Sequence, residues 1–493
     1  MICCQTNYNE KELQDKIHAC WVGKNIGGTI GGPYEGKQEF LDVHGFVTPK
    51  GEPLPNDDLD LQLVWLVALE EYGPYQMSAN VLGEYWLKFV PPEWKEYGVG
   101  KANMRMGLYP PFSGEYSNDK WKTSNGAWIR SEVWACLAPG YPEVSIRYAQ
   151  MDASADHGMS EGTYAEIYTA ALESMAFGGG EIRDIIEQAL SYIPGDCRIA
   201  KAVKLVLDSY DKGLPYREVR EMLVEQSADI GWFQAPANIG FVTIGLMYGE
   251  GDFKKSMIYT VNCGDDTDCT AATVGAFLGI LYGMDGVPSD WAEYIGDKIN
   301  TVAIDASCWV APKSCQEFTD RIIKMLPIVL YANGVDAEIT DKETNIDYGK
   351  VDNRSRDGRY LWCTPERITR ELAYYKPYSY FAAHTVHAKM YVTYDKEPRI
   401  TPEGEVKATI LIENLFWNPS NFYFDVRCPE GFSAEYARTA HVAHGTKDRE
   451  TNNCYWDITI KAESGIQPVN KIFVEVSSPG RLNSAIIPII VLG

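Results

Sequence analysis

A stretch without a single charged side chain runs from Thr270 to Tyr282, directly after Asp265, Asp266 and Asp268, three carboxylates within four residues. A segment apolar on nearly every side must be buried, and its length suits a helix. Ala271, Gly275, Gly279 and Gly283 then share one face at four-residue spacing, where the missing side chains admit a second helix at close range. The acids are carried to the positive end of that helix, which favours anions. Buried charge is costly unless it is paired or coordinates a metal. One Asp in this position reads as a solvated N-cap. An Asp266-x-Asp268 pair opening a glycine-lined buried helix reads instead as metal binding or catalysis.

The same design occurs a second time. Asn56-Asp57-Asp58-Leu59-Asp60 precedes a run from Leu61 to Leu69 that is apolar on nearly every side. Asn56 or Asp57 serves as its N-cap; capping needs one acceptor, and the stretch supplies an amide and three acids. Two buried helices that open on paired acids can aim them at one point. Four or more converging oxygens suit Mg2+ or Ca2+ better than zinc, which prefers His and Cys. Gly23, Gly27 and Gly31 repeat the four-residue spacing in a helix over residues 10–32, which Pro33 ends. That spacing is not GxGxxG and no strand precedes it, so close helix packing is the reading. Glu35 follows in the turn, where a lone Glu reads as solvated. Ser124-Asn125-Gly126 opens a further helix reaching Cys136; its amides suit an anion or sugar hydroxyls, although Asn-Gly also makes a plain turn. His157 reads by default as a buried, satisfied imidazole.

Composition narrows the class. A chain of 493 residues exceeds one usual core, so two domains are expected. The net charge of −23 excludes a nucleic-acid or anionic-membrane surface as partner, while leaving room for one small anionic ligand. No apolar run reaches the ~18 residues of a membrane span. The twelve Cys include no CxxC pair, and several sit in apolar stretches, which suits reduced thiols and a cytoplasmic location. Residues 10–335 read as one all-α domain and 336–376 as a connector rich in charge and Tyr. Residues 377–493 alternate in β fashion, and six or seven short strands there predict an immunoglobulin-like β-sandwich. The sandwich carries no catalytic constellation; His441 and His444 read as strand or loop features. Its expected role is packing or assembly into a homo-oligomer.

With both acid clusters in hand, the α domain resembles the ADP-ribosylglycohydrolase superfamily, of the dinitrogenase-reductase-activating glycohydrolase and ADP-ribosyl-acceptor hydrolase type. The resemblance covers most of residues 12–295 and keeps the blocks in order. Gly23 to Gly36 is similar to the opening Gly-rich helix that ends in Glu-Gly, and Asn56-Asp57-Asp58 to the Thr-Asp-Asp block. Ser124-Asn125-Gly126 with Arg130 resembles Asn-Gly-x-x-Met-Arg, and Asp156-His157 resembles Thr-His. Gly264 to Cys269 resembles Gly-Gly-Asp-Thr-Asp-Thr, and Gly286 to Trp291 continues the match.

The resemblance implies an all-α fold with up to two Mg2+ or Mn2+ ions at the bottom of a cleft, hydrolysing an N- or O-glycosidic bond to ribose. It implies metal-ligand positions at Asn56, Asp57, Asp58, Asp266, Asp268 and Cys269, catalytic acids at Glu35, Asp57 and Asp266, and substrate contacts at Ser124, Asn125, Gly126 and His157. Three positions depart from the pattern: Asn56 and Cys269 replace Thr, and Gly28 replaces Asp. A thiol is a poor ligand for Mg2+. The thinned shell implies one ion (Mg2+, Mn2+ or Ca2+), with a second allowed, and a small ribosyl or furanosyl substrate in place of ADP-ribosylated protein. The expected function is a metal-dependent glycoside hydrolase. The alternative is a catalytically inactive module that binds ADP-ribose or a sugar; Gly28 and Cys269 favour it and the four retained acids oppose it.

Overall fold

The computed structural model describes residues 4–347, 379–385, 388–415, 419–442, 453–480 and 484–493. Most of the expected connector, from residue 348 on, and His444 lie outside the described residues. The chain divides into two compact units, Met1–Val351 and Asp352–Gly493.

The first unit contains sixteen α-helices among the described residues. Its centre is an antiparallel pair, Glu10–Gly31 against Thr267–Tyr282. The two glycine stripes face each other. A Cβ placed on Gly23 would fall on the carbonyl of Gly275, one on Gly27 on the backbone of Ala271, and one on Gly31 on the carbonyl of Thr267. The helices therefore meet backbone to backbone, and the Thr267 hydroxyl donates to the Gly31 carbonyl at 2.9 Å. Gly283 has another task than the stripe: it ends the second helix at φ +67, a conformation that suits glycine. Asp57–Tyr72 is buried from Asp58 to Leu69, with Trp65 fully enclosed. Asn56 is its N-cap, accepting the Asp58 N–H at 2.8 Å. Pro33 sits in a 3-10 turn, Gly32–Tyr34, that carries the chain off the first helix.

Two local expectations need correction. Ser124-Asn125-Gly126 does not open a helix. Ser124 bridges Gln234, a 3-10 turn follows at Trp128–Arg130, and the helix proper is the short Glu132–Cys136. The cause is Arg130, wholly buried, whose guanidinium donates to the Gly126 carbonyl, Asp152 and Asp156 and so fixes an irregular path. The helical body is also not purely α: strands Cys4–Asn9 and Val335–Thr340 pair in parallel at its margin. Their residues are mostly polar (Gln5, Thr6 and Asn7 opposite Asp336, Ala337 and Glu338), so no apolar alternation announces them. No helix among the described residues is long and apolar enough to cross a membrane.

The second unit holds nine strands among the described residues, where patterning predicts six or seven. The additional ones include Phe432–Tyr436 and Thr439–Val442, too short to show a period. They form two antiparallel sheets. One runs Ser379–His384, Ala388–Thr393, Glu405–Asn414, Asn453–Ala462, Phe432–Tyr436; the other runs Ala485–Leu492, Val469–Ser477, Ser420–Arg427, Thr439–Val442. Alternate residues of Glu405–Asn414 are buried, and Phe424 of one sheet stacks on Trp456 of the other at 4.2 Å. His441 is exposed and bonded to Asn421.

The helix crossing makes a direct prediction. Gly27→Ala drives a methyl into the backbone of the partner helix and should cost about 1–3 kcal/mol or more, read as a lower denaturant midpoint. Gly28→Ala meets only the end of the Asn56 side chain and should cost clearly less. Equal losses would contradict this packing.

Candidate active site

Antiparallel register sets the geometry. The C-terminal end of the first helix lies beside the N-terminal end of the second, so the turn after Gly31 meets the loop before Thr267. Two backbone bonds lock them: Gly36 N–H to the Asp265 carbonyl at 2.8 Å, and Asp265 N–H to the Lys37 carbonyl at 2.7 Å. Gly264, at φ +79, lies so close to the carbonyls of Lys37 and Glu39 that no Cβ would fit. Asp266 stands at the N-cap position of its helix, yet its side chain caps nothing. It accepts from Asn125 Nδ2 at 2.6 Å, and Asn125 is itself held by the Trp128 indole at 3.0 Å.

The acids gather in two groups that share Asp268. Carboxylate oxygens of Glu35, Asp266 and Asp268 lie within 4.8 Å of one another, and so do ligand atoms of Asp58, Asp268 and Cys269. Asp58 and Asp266 are buried, Asp268 is half-buried and Glu35 is exposed on its turn. Asp57 belongs to neither group; its Oδ2 accepts from the Tyr97 hydroxyl at 2.8 Å. Asn56 spends its amide oxygen on capping, and the Cys269 thiol donates to Asp58 Oδ1 at 3.3 Å. Two buried oxygens, Asp58 Oδ2 and Asp268 Oδ1, have no protein partner.

The electrostatics follow from this crowding. Burial, joined by neighbouring carboxylates, holds Asp58 and Asp268 well above the usual carboxylate range. Partial burial and then the charges of Asp266 and Asp57 raise Glu35. Burial likewise keeps the Cys269 thiol protonated. Beneath the site Lys24 is 1 % exposed and donates to Glu132 at 2.7 Å and to the Ile129 carbonyl at 2.8 Å. Burial pulls its pKa down, but Glu132 and Asp58 outweigh that and lift it to about 12. Lone carboxylates left without cations in such a place would retain protons.

Of the residues singled out from sequence, the structure thus joins Glu35, Asp58, Asp266, Asp268 and Cys269, with Asn125 bonded to Asp266. Ser124 and His157 are fully buried and bonded to each other at 3.0 Å, with His157 Nδ1 also 3.0 Å from Asp156. They stand behind the Asn125 turn. A Cβ on Gly126 would meet Glu96 Oε1, so this glycine makes room for a buried carboxyl. Glu96 and Tyr97, with Lys95 beside them, were not legible from sequence; they lie in an aromatic stretch with no motif, and only the fold turns them toward Asp57 and Gly126. Lys24, one residue beyond Gly23 in an otherwise apolar helix face, was the available signal for a buried counter-charge.

The buried acids also predict a pH dependence. Burial is the first cause that lifts Asp60, Glu96 and Asp265 each to about 7. The folded state then keeps protons that the unfolded chain gives up near pH 4. This stability is fully present below about pH 4 and is lost as pH rises toward 7. The metal-free protein should melt progressively lower across that window, and Glu96→Gln should flatten the slope by up to ~1.4 kcal/mol per pH unit. A melting temperature that climbs from pH 4 to 7 would refute the assignment.

Comparison with known proteins agrees with the geometry. The sequence model of the ADP-ribosylglycohydrolase family matches residues 9–317. The chain is 22 % identical over 329 residues to the ADP-ribosylhydrolase ARH3 of Bos taurus, covering 56 % of this chain and 88 % of that one. Over 47 residues it is 43 % identical to the ADP-ribosyl-(dinitrogen reductase) glycohydrolase of Rhodospirillum rubrum, covering 10 % of this chain and 16 % of that one. The ADP-ribosylarginine hydrolase Tri1 of Pseudomonas putida matches at 35 % over 49 residues, 10 % of this chain and 13 % of the relative. A family match across more than half the chain, on a fold that gathers the matched acids, makes this protein a glycosidase that belongs to the ADP-ribosylglycohydrolase family.

Proposed function

We propose that the chain is a metal-dependent hydrolase of an N- or O-glycosidic bond to ribose, acting on an ADP-ribosyl or smaller ribosyl compound. One observation carries the reading: carboxylates from two buried helix starts and the Glu35 turn meet around Asp268, and two of their buried oxygens lack any protein partner. Such a set fits a hard divalent cation, Mg2+, Mn2+ or Ca2+. Asp58, Asp266 and Asp268 would hold it, with Glu35 and Asp57 at the rim, and the shared Asp268 leaves a place for a second ion. Cys269 fits poorly, because its protonated thiol is soft and already bonded to Asp58. When bound, the ion supplies a template for sugar hydroxyls and lowers the pKa of water.

The protein's own residues do the rest. Glu35, exposed at the rim with a raised pKa, holds or takes the proton that moves at the glycosidic oxygen or nitrogen. Asn125 aims Asp266, and Tyr97 aims Asp57. Ser124, His157 and Gly126 shape the turn on which Asn125 rides. The relatives named above all act on ADP-ribosyl linkages, which supports a ribosyl substrate. Gly28 and Cys269 favour a small compound over a modified protein.

Turnover of a panel of ribosyl linkages in Mg2+, Mn2+ or Ca2+, abolished by EDTA, is the test. Asp266→Ala and Asp58→Ala should each remove most activity and most of a metal-dependent stabilisation of roughly 2–4 kcal/mol at 100 to 1,000 times the dissociation constant. Asp265→Asn should do neither, since Asp265 lies by Arg220 and joins neither acid group. Cys269→Thr should tighten Mg2+ binding. The rival reading, an inactive sugar reader, draws on the Cys269–Asp58 bond; calorimetry showing saturable binding with all ligand recovered unchanged would favour it.

A further inference from the structure

The wall beside Glu35 carries a cation held in an unusual way. Lys95 is the first residue of the Lys95–Arg105 helix and lies at φ +36, in the left-handed region that a side chain disfavours. Its ammonium stands 3.1 Å from the centroid of the Phe233 ring and 5.0 Å from that of Trp232. Trp232 in turn packs on Gly36, next to Glu35: a Cβ there would lie 3.7 Å from the indole. Trp121 closes edge-on against Phe233 at 6.2 Å. Two residues further along the same helix, Tyr97 holds Asp57. A strained backbone, an aromatic seat and the adjoining helix turn thus fix one ammonium at the rim of the acid floor, close enough for its charge to act on Glu35.

We infer that Lys95 receives a phosphoryl group carried by the ribosyl substrate. The inference rests on the reading above for where the sugar lies. A divalent ion held by Asp58, Asp266 and Asp268 is already offset by the acids around it, so an anionic substituent needs its own counter-charge on the wall. Lys24 cannot supply it, being buried and committed to Glu132. The faces of Phe233 and Trp232 already carry the Lys95 ammonium, so a cationic leaving group would meet like charge there while a phosphoryl group meets a cation partly stripped of water. A compact ammonium on a flexible stem suits the spread oxygens of a phosphate.

The test compares two substrates that share a leaving group, one ADP-ribosyl and one unphosphorylated ribosyl. Calorimetry of ADP-ribose, ribose and inorganic phosphate in Mg2+ accompanies it. Lys95→Gln should raise KM for the phosphorylated substrate about tenfold or more relative to the unphosphorylated one, while any change in kcat that comes through Glu35 is shared by both. ADP-ribose binding should weaken by the same factor and ribose binding should not. Lys95→Gly, which suits φ +36 and removes the charge, should behave alike even if Lys95→Gln folds badly; Lys95→Arg should restore part of the preference. Lys37→Gln, whose ammonium lies over Tyr34, is the control and should change nothing. Equal losses on both substrates, no loss on either, or the same effect from Lys37→Gln would overturn the inference, as would weakened binding of inorganic phosphate alone with ADP-ribose unaffected. If wild type turns over no riboside yet binds ADP-ribose in a Lys95-dependent way, the proposed hydrolysis fails and this inference stands.

Discussion

The structure depends on two helix backbones in direct contact. Where Gly23, Gly27 and Gly31 face Gly275, Ala271 and Thr267, no side chain separates the chains, so the pair can seat in one register only. Sliding by a residue would put Cβ atoms into carbonyls along the crossing. The register in turn decides that the Glu35 turn and the Asp266 loop end side by side, and the backbone bonds between Gly36, Asp265 and Lys37 seal that end. The placing of the acids is thus inherited from packing that begins at Gly31 and Thr267 and runs along the crossing.

Charge is handled in two ways within the same core. Some buried acids have a cation built into the chain: Glu132 has Lys24, while Asp152 and Asp156 have Arg130. In Asp156, burial alone would raise the pKa, but Arg130 and then His157 hold it down at about 2. Among the described residues Asp58 and Asp268 make no direct ion pair, although the Lys24 charge bears on Asp58, and each retains an orphaned oxygen. The contrast sets acids that are ion-paired within the fold apart from acids that are not.

Two of the three departures that the family resemblance implies are not independent in space. A Cβ on Gly28 would fall on Asn56 Nδ2, so the amide of Asn56 occupies room that a side chain at 28 would claim. Two substitutions that look separate along the chain are one change in packing, at the cap of the Asp57–Tyr72 helix. Cys269 makes its own adjustment by donating to Asp58.

By itself the sequence determined the two buried acid-headed helices, the close-packing glycine stripes and the division into a helical part and a strand-rich part. Each rests on local spacing: a four-residue period, a run without charge, or a two-residue alternation. The sequence also favoured Asp57, Asp58, Asp266 and Asp268 as one cluster, because two all-apolar helices can be buried together only with their charged ends grouped; Asp58, Asp266 and Asp268 do meet, in two groups, and Asp57 joins neither. Tertiary structure alone decided the rest. Asp57 turns to Tyr97 while Glu35 enters the cluster, a choice made by where a turn closes after Pro33. The Ser124–Gly126 segment is a turn because the buried Arg130 guanidinium pins the Gly126 carbonyl. Strands Cys4–Asn9 and Val335–Thr340 find each other across more than three hundred residues with no periodicity to announce them. Spacing shows which face a residue occupies; which partner meets that face is set by long-range contact, and no local pattern records it.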